Sequence, residues 1–105
     1  MKTYKVLLTA DAREDLKRYL SYLKNVKKSP QAARNVLNDY IDTRKELEKC
    51  AGSLADPDSQ KLRERGLKRM NFLRHNYFLL YRIEENNAVI ISIFHSLEDA
   101  DSKLK

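Results

Sequence analysis

Two short runs in the C-terminal half constrain the fold most. Phe78-Leu79-Leu80-Tyr81 and Val89-Ile90-Ile91-Ser92-Ile93-Phe94 are apolar at nearly every position. Successive side chains of a strand point to opposite faces, so these runs read as central strands with part of both faces covered. Glu85-Asn86-Asn87 lies between them and predicts a hairpin turn, because Asn tolerates a positive φ. A third strand-like segment, Leu67 to Leu73, precedes them. A fourth, Tyr4-Lys5-Val6-Leu7-Leu8-Thr9, opens the chain with an apolar, β-branched pattern.

The region between the first strand and the other three follows a helical period. Asp11 is placed to cap a helix, with Glu14 at capping-box spacing. Ala12, Leu16, Tyr19, Leu20, Leu23 and Val26 then recur on one face. Ser29-Pro30 restarts the pattern, with Ser suited to the N-cap and Pro to the first turn. Ala33, Val36, Leu37, Tyr40, Ile41, Leu47 and Ala51 form the second stripe, and Gly52-Ser53 ends it. The short link predicts an antiparallel helical hairpin. The Asp-Pro-Asp-Ser cluster marks 55–66 as a loop, and Leu97 to Leu104 predicts a short C-terminal helix. The economical architecture is α+β: a helical hairpin on one mostly antiparallel sheet made of the N-terminal strand and a three-strand antiparallel meander.

With 105 residues, the expectation is a single domain over 1–105. One cysteine, Cys50, allows no internal disulfide, and with two His it forms no usual structural zinc site. No metal or other cofactor is expected. The first apolar run is too short for a signal peptide, and no stretch approaches the roughly 20 apolar residues of a membrane span. The cytosol is the expected compartment, with no membrane partner.

The formal net charge is +6, which favours anionic partners. The surplus is uneven. Between Lys61 and His75 lie Lys61, Arg63, Arg65, Lys68, Arg69 and Arg74 against the single acid Glu64. These six are the candidate binding residues. A solvated face would carry the same charges, so the alternatives are an anion-binding surface and ordinary solubility. Residues two apart on a strand share a face, so Arg69 projects with Asn71 while Lys68 and Arg74 belong to the other register. Tyr77 and Tyr81 also share a face, as expected for half-buried packing. His95 ends the last strand, where a side chain is accessible for proton transfer; a structural His would sit there equally well. No phosphate loop, nucleotide-binding glycine fingerprint or nucleophile elbow occurs.

Taken in order, several segments resemble the RelE/ParE superfamily of type II toxins. They are Tyr4-Lys5-Val6-Leu7-Leu8-Thr9-Ala10-Asp11-Ala12 with Asp15-Leu16, Pro30 with Ala33, Arg65-Gly66-Leu67 with Arg69, Tyr77 to Ile83, and Val89 to His95 followed by Asp99. The resemblance spans nearly the whole chain. It implies a growth-inhibiting toxin silenced by a cognate acidic antitoxin. RelE-like members cut mRNA on the ribosome without a metal, whereas ParE-like members inhibit DNA gyrase.

The sequence departs from the nuclease pattern at Phe78, where nucleases place an Arg that contacts the scissile phosphate. It departs again at Ser96-Leu97-Glu98-Asp99, where acids would repel an RNA backbone. The resemblance is thus nearer to ParE. The nuclease alternative, with ribosome and mRNA as partners, would rest on His95 for proton transfer and on Arg69, Arg74 or Arg65 for phosphate contact. A third alternative is a non-toxic module that only binds antitoxin.

Overall fold

The computed structural model describes residues 2–97. The elements are β1 (Lys5–Leu8), α1 (Ala10–Ser21), a π-helical turn (Tyr22–Val26), α2 (Pro30–Cys50), α3 (Gln60–Glu64), β2 (Lys68–Asn71), β3 (Tyr77–Glu84) and β4 (Asn87–His95). The class is α+β. The expected C-terminal helix over 97–104 lies, apart from Leu97, outside the described residues.

The sheet runs β1-β4-β3-β2 and is mixed. β2 pairs with β3, and β3 with β4, antiparallel; β1 pairs with β4 parallel. The doubly apolar β3 and β4 thus lie in the middle. On one face Val6, Met70, Tyr77, Leu79, Tyr81, Ala88, Ile90 and Ile93 pack with Ala12, Leu16, Val36, Tyr40 and Leu47 of the helical hairpin. The opposite face carries a smaller core of Phe78, Leu80 and Phe94 under Leu62 and Leu67. A bulge between Leu80 and Tyr81 shifts the β3–β4 register. Burial raises the Tyr81 phenol well above its ordinary pKa, and its hydroxyl donates to the Ala51 carbonyl at 2.7 Å.

Several local expectations are corrected. The N-cap of α1 is Thr9, not Asp11: Thr9 Oγ1 accepts from the Ala12 N–H at 3.2 Å, and Asp11 already lies in the first turn. There its charge complements the helix N-terminus instead. Ser29 does cap α2, accepting from the Ala32 N–H at 3.2 Å, with Pro30 in the first turn. The apolar stripes are narrower than expected, since Val26, Leu37 and Ile41 are 63%, 37% and 41% exposed. On α2 their place in the core is taken by two polar residues, Asp39 and Thr43.

The 55–66 segment is not all loop. Ser59 caps α3 by accepting from the Leu62 N–H, which lets Leu62 reach the far face of the sheet. Gly66 ends α3 at φ 70, while the Leu67 N–H donates to the Leu62 carbonyl. A left-handed residue at this point satisfies the last helical carbonyls and suits Gly. In the β3–β4 turn the positive φ, 56°, falls on Glu85 rather than on an Asn.

Replacing the true cap should be more damaging than replacing the apparent one. Thr9→Ala should cost about 1 kcal/mol of stability, and Asp11→Ala less than half of that. Urea unfolding midpoints of the two variants would check the order.

Candidate functional site

The six basic candidates do not form one patch. Lys68 lies opposite Tyr81 on the hairpin side of the sheet and reaches out to the Leu54 carbonyl at 2.7 Å and the Asp56 carboxylate at 3.2 Å. Arg63 donates to the Pro57 and Asp58 carbonyls, holding the loop before α3. Lys61 and Arg65 are exposed on and just after α3. Arg69 lies on the far face, its guanidinium 3.7 Å from the centre of the Phe78 ring, with Nε donating to Asn71 Oδ1 at 3.0 Å. The expected sharing of a face by Arg69 and Asn71 therefore holds.

Arg74 belongs to a separate assembly. It donates to Asp42 Oδ2 on α2 at 2.6 Å and lies 3.9 Å from Asp39. Asp39 is fully buried, and its Oδ2 accepts from the Arg74 N–H, the His75 N–H and His75 Nδ1 at 3.1, 2.7 and 2.7 Å. Thr43 donates to Asp39 Oδ1 and accepts from the Leu73 N–H. α2 thus supplies the acceptors for the chain between β2 and β3. Two polar residues inside an apolar stripe, four apart, were the sequence signal for this clamp. Burial pushes the Asp39 carboxyl up, but the hydrogen bonds from His75 and Arg74 outweigh it and hold the carboxyl below its ordinary range.

His95 lies on the hairpin face, opposite Tyr77. Its backbone N–H donates to the Tyr19 hydroxyl, its Nδ1 accepts from the Leu97 N–H, and its ring meets the Tyr77 ring edge-on at 5.1 Å. With Tyr19, Tyr22, Leu23 and the cations Arg18 and Lys27 it lines an open groove of about 560 Å³. Sequence reasoning missed this groove, because it is assembled by the π-helical turn. That turn sets the Lys27 N–H on the Tyr22 carbonyl, five residues back.

His95, Arg69 and Arg74 therefore do not converge. Two lie on opposite faces of the sheet, and the third is bound to acids on α2. Among the described residues, no group of three or more His, Cys, Asp or Glu is arranged to hold a metal, and no helix is long and apolar enough to cross a membrane.

The sequence matches the family of the ParE toxin of the type II toxin–antitoxin system, parDE, over residues 6–100. The chain belongs to the ParE toxin family. Its fold is shared by the chromosomal ParDE toxin–antitoxin system from P. aeruginosa. That match has a TM-score of 0.73 and 19% identity over 89% of this chain and 96% of the other. The solution structure of the conserved hypothetical protein HP0894 from Helicobacter pylori is also similar, at TM-score 0.59 and 13% identity over 90% and 97% of the two chains. No curated protein matches. As a ParE-family member the chain is the toxin type of a type II toxin–antitoxin pair.

The Asp39 clamp of this ParE-family fold has a signed pH dependence. A carboxyl depressed in the folded state adds stability above its unfolded value, 3.8, and that stability is lost as the pH falls through the folded value. Asp39→Ala should cost about 2–4 kcal/mol near neutral pH, by leaving the loop donors without an acceptor. It should also flatten the acid limb of the stability profile. Urea melts from pH 7 down to about 2.5, spanning ordinary carboxylate titration, would measure both.

Proposed function

We propose that this ParE-family chain inhibits growth by acting on DNA gyrase, without cutting RNA, and that a cognate acidic antitoxin neutralises it. One observation carries the non-nucleolytic reading: the side chains that would have to share a scissile phosphate point away from one another. His95 faces the helical hairpin, packed on Tyr77. Arg69 caps the opposite face, stacked on Phe78. Metal-independent RNA cleavage needs a base, an acid and a cation within hydrogen-bond reach of one phosphodiester. Four strands of backbone cannot be reached around by a side chain a few ångströms long. Phe78 adds to this, for it is 1% exposed and offers no charge where nucleases carry a phosphate-binding Arg.

Family membership and the basic surplus between Lys61 and His75 support the acidic antitoxin. An antitoxin segment that folds as it binds would gain apolar burial along its length and charge pairing with the exposed cations of this stretch, such as Lys61 and Arg65. The exposed apolar side chains Leu37, Ile41 and Leu73 and the groove beside His95 offer the apolar part.

Induced expression alone should arrest growth and raise a DNA-damage response, and His95→Ala should arrest growth to the same extent. Primer extension on translated mRNA should show no new ends. Cleavage ends that vanish in His95→Ala would favour the ribosome-dependent nuclease. Unimpaired growth at verified soluble expression would leave only a non-toxic antitoxin-binding module.

A further inference from the structure

The least regular stretch of backbone follows α1. π-Helical geometry is rare and gathers at functional sites. Here it runs from Tyr22 to Val26, and two residues later Lys28 adopts φ 56, a left-handed conformation that residues other than Gly seldom take. None of the five residues of the turn is buried, and of its apolar side chains only Leu23 packs against the main core. Core packing alone therefore does not account for the turn.

What the turn builds is one wall of the groove beside His95. At about 560 Å³ this groove falls within the roughly 300–1,000 Å³ of small-molecule sites. Its walls are aromatic. Tyr19, Tyr77 and His95 form a row of rings that meet edge-on at 5.2 and 5.1 Å. Tyr22 supplies a fourth ring, 46% exposed.

The rim is cationic. Between Tyr22 and Ser29 the chain carries Lys24, Lys27 and Lys28 and no acid. Lys27 Nζ lies 5.8 Å from the centre of the Tyr22 ring, and the Arg18 guanidinium lies 5.2 Å from that of Tyr19. Arg18 is drawn towards Asp15 at 3.5 Å, but that carboxylate also accepts from the Ile93 N–H. Lys27 has no carboxylate partner among the described residues.

Flat apolar surface and positive charge thus meet in one groove. An apolar ligand would leave the cations unmatched, and an inorganic anion would leave the rings uncovered. A ligand that uses both is planar, aromatic and anionic. A nucleobase stacks on an aromatic side chain through its π-face, and a phosphate pairs with Lys and Arg.

We propose that the groove between α1, the π-helical turn and the end of β4 binds a free 5′-mononucleotide, its base stacked on Tyr22 and its phosphate held by Lys27 and Arg18. The site lies on the hairpin side of the sheet, away from Arg69 and Phe78, and no bond is made or broken there. It goes beyond the antitoxin reading, which draws on the same groove for apolar burial; in the groove the two ligands would exclude one another.

The test titrates the full toxin with AMP, adenosine and inorganic phosphate in turn, following backbone amide shifts. AMP should bind with a Kd of about 1 mM or tighter, with the largest shifts at Tyr19, Tyr22, Leu23 and Lys27. Adenosine and phosphate should each bind about tenfold more weakly. Tyr22→Ala removes an exposed ring and should weaken AMP about tenfold, whereas Tyr22→Phe should retain it. Lys27→Gln should weaken AMP about fivefold and leave adenosine unchanged. Phosphate binding as tightly as AMP would reduce the groove to the site of an adventitious ion only and overturn the proposal. Adenosine binding as tightly as AMP would remove the phosphate contact and overturn it too. So would shifts scattered away from the groove, no binding at all, or an AMP affinity that neither Tyr22→Ala nor Lys27→Gln alters.

Discussion

The fold depends on one buried carboxylate. Asp39 sits inside the apolar face of α2 and accepts hydrogen bonds from the chain that leaves β2. Without it, the donors of Arg74 and His75 would be buried against the hairpin with nothing to accept them, a cost comparable to that of a core cavity. The clamp also explains why two of the basic residues nearest the sheet are not interchangeable. Arg74 pairs with Asp42 and lies near Asp39 and so serves the fold, whereas Arg69, five residues earlier, is held by an aromatic ring and a neutral amide. Charge that is spent internally cannot serve a partner. The six cations against one acid between Lys61 and His75 therefore overstate the cationic surface that this strip presents.

The sequence carried the element types well where periodicity was strong. Double-sided apolar runs marked β3 and β4, and Ser29-Pro30 marked the start of α2, because each signal is local and chemical. The family resemblance, read from ordered segments, is matched by the family assignment over residues 6–100. What the sequence concealed was set by tertiary partners. Thr9 displaced Asp11 as cap because β1 ends one residue earlier, leaving Thr9 extended and within reach of both Ala12 and Ile91. α3 escaped notice because a five-residue helix has too few positions to show a period; its Ser59 and Gly66 boundaries were the available clue.

The candidate site was less readable than the fold. A run of cations is visible as composition, but the faces to which they project depend on where β2 starts and which way the chain leaves it. Alternation separated Lys68 from Arg69 correctly. It did not reveal that Asp39, thirty-five residues away, would capture the amide of Arg74. Nor could it show that His95 and Arg69 lie on opposite faces, which required the register of β3 against both neighbours.

The parallel pairing of β1 with β4 has a consequence for how the protein comes into being. Lys5 lies opposite Asn87, so the first strand has no sheet neighbour until the last has been made. Synthesis proceeds from the N-terminus, and a ribosome-bound chain lacking β4 has only the hairpin and an unpaired first strand to work with. Closing so long a loop is slow on the scale of local helix formation. The half of β4 tied down by Thr9, Asp15 and Tyr19 is likewise the last sheet segment to leave the ribosome. The finished sheet therefore forms only once β4 has been made, and a chain truncated before β4 lacks the strand that organises the sheet.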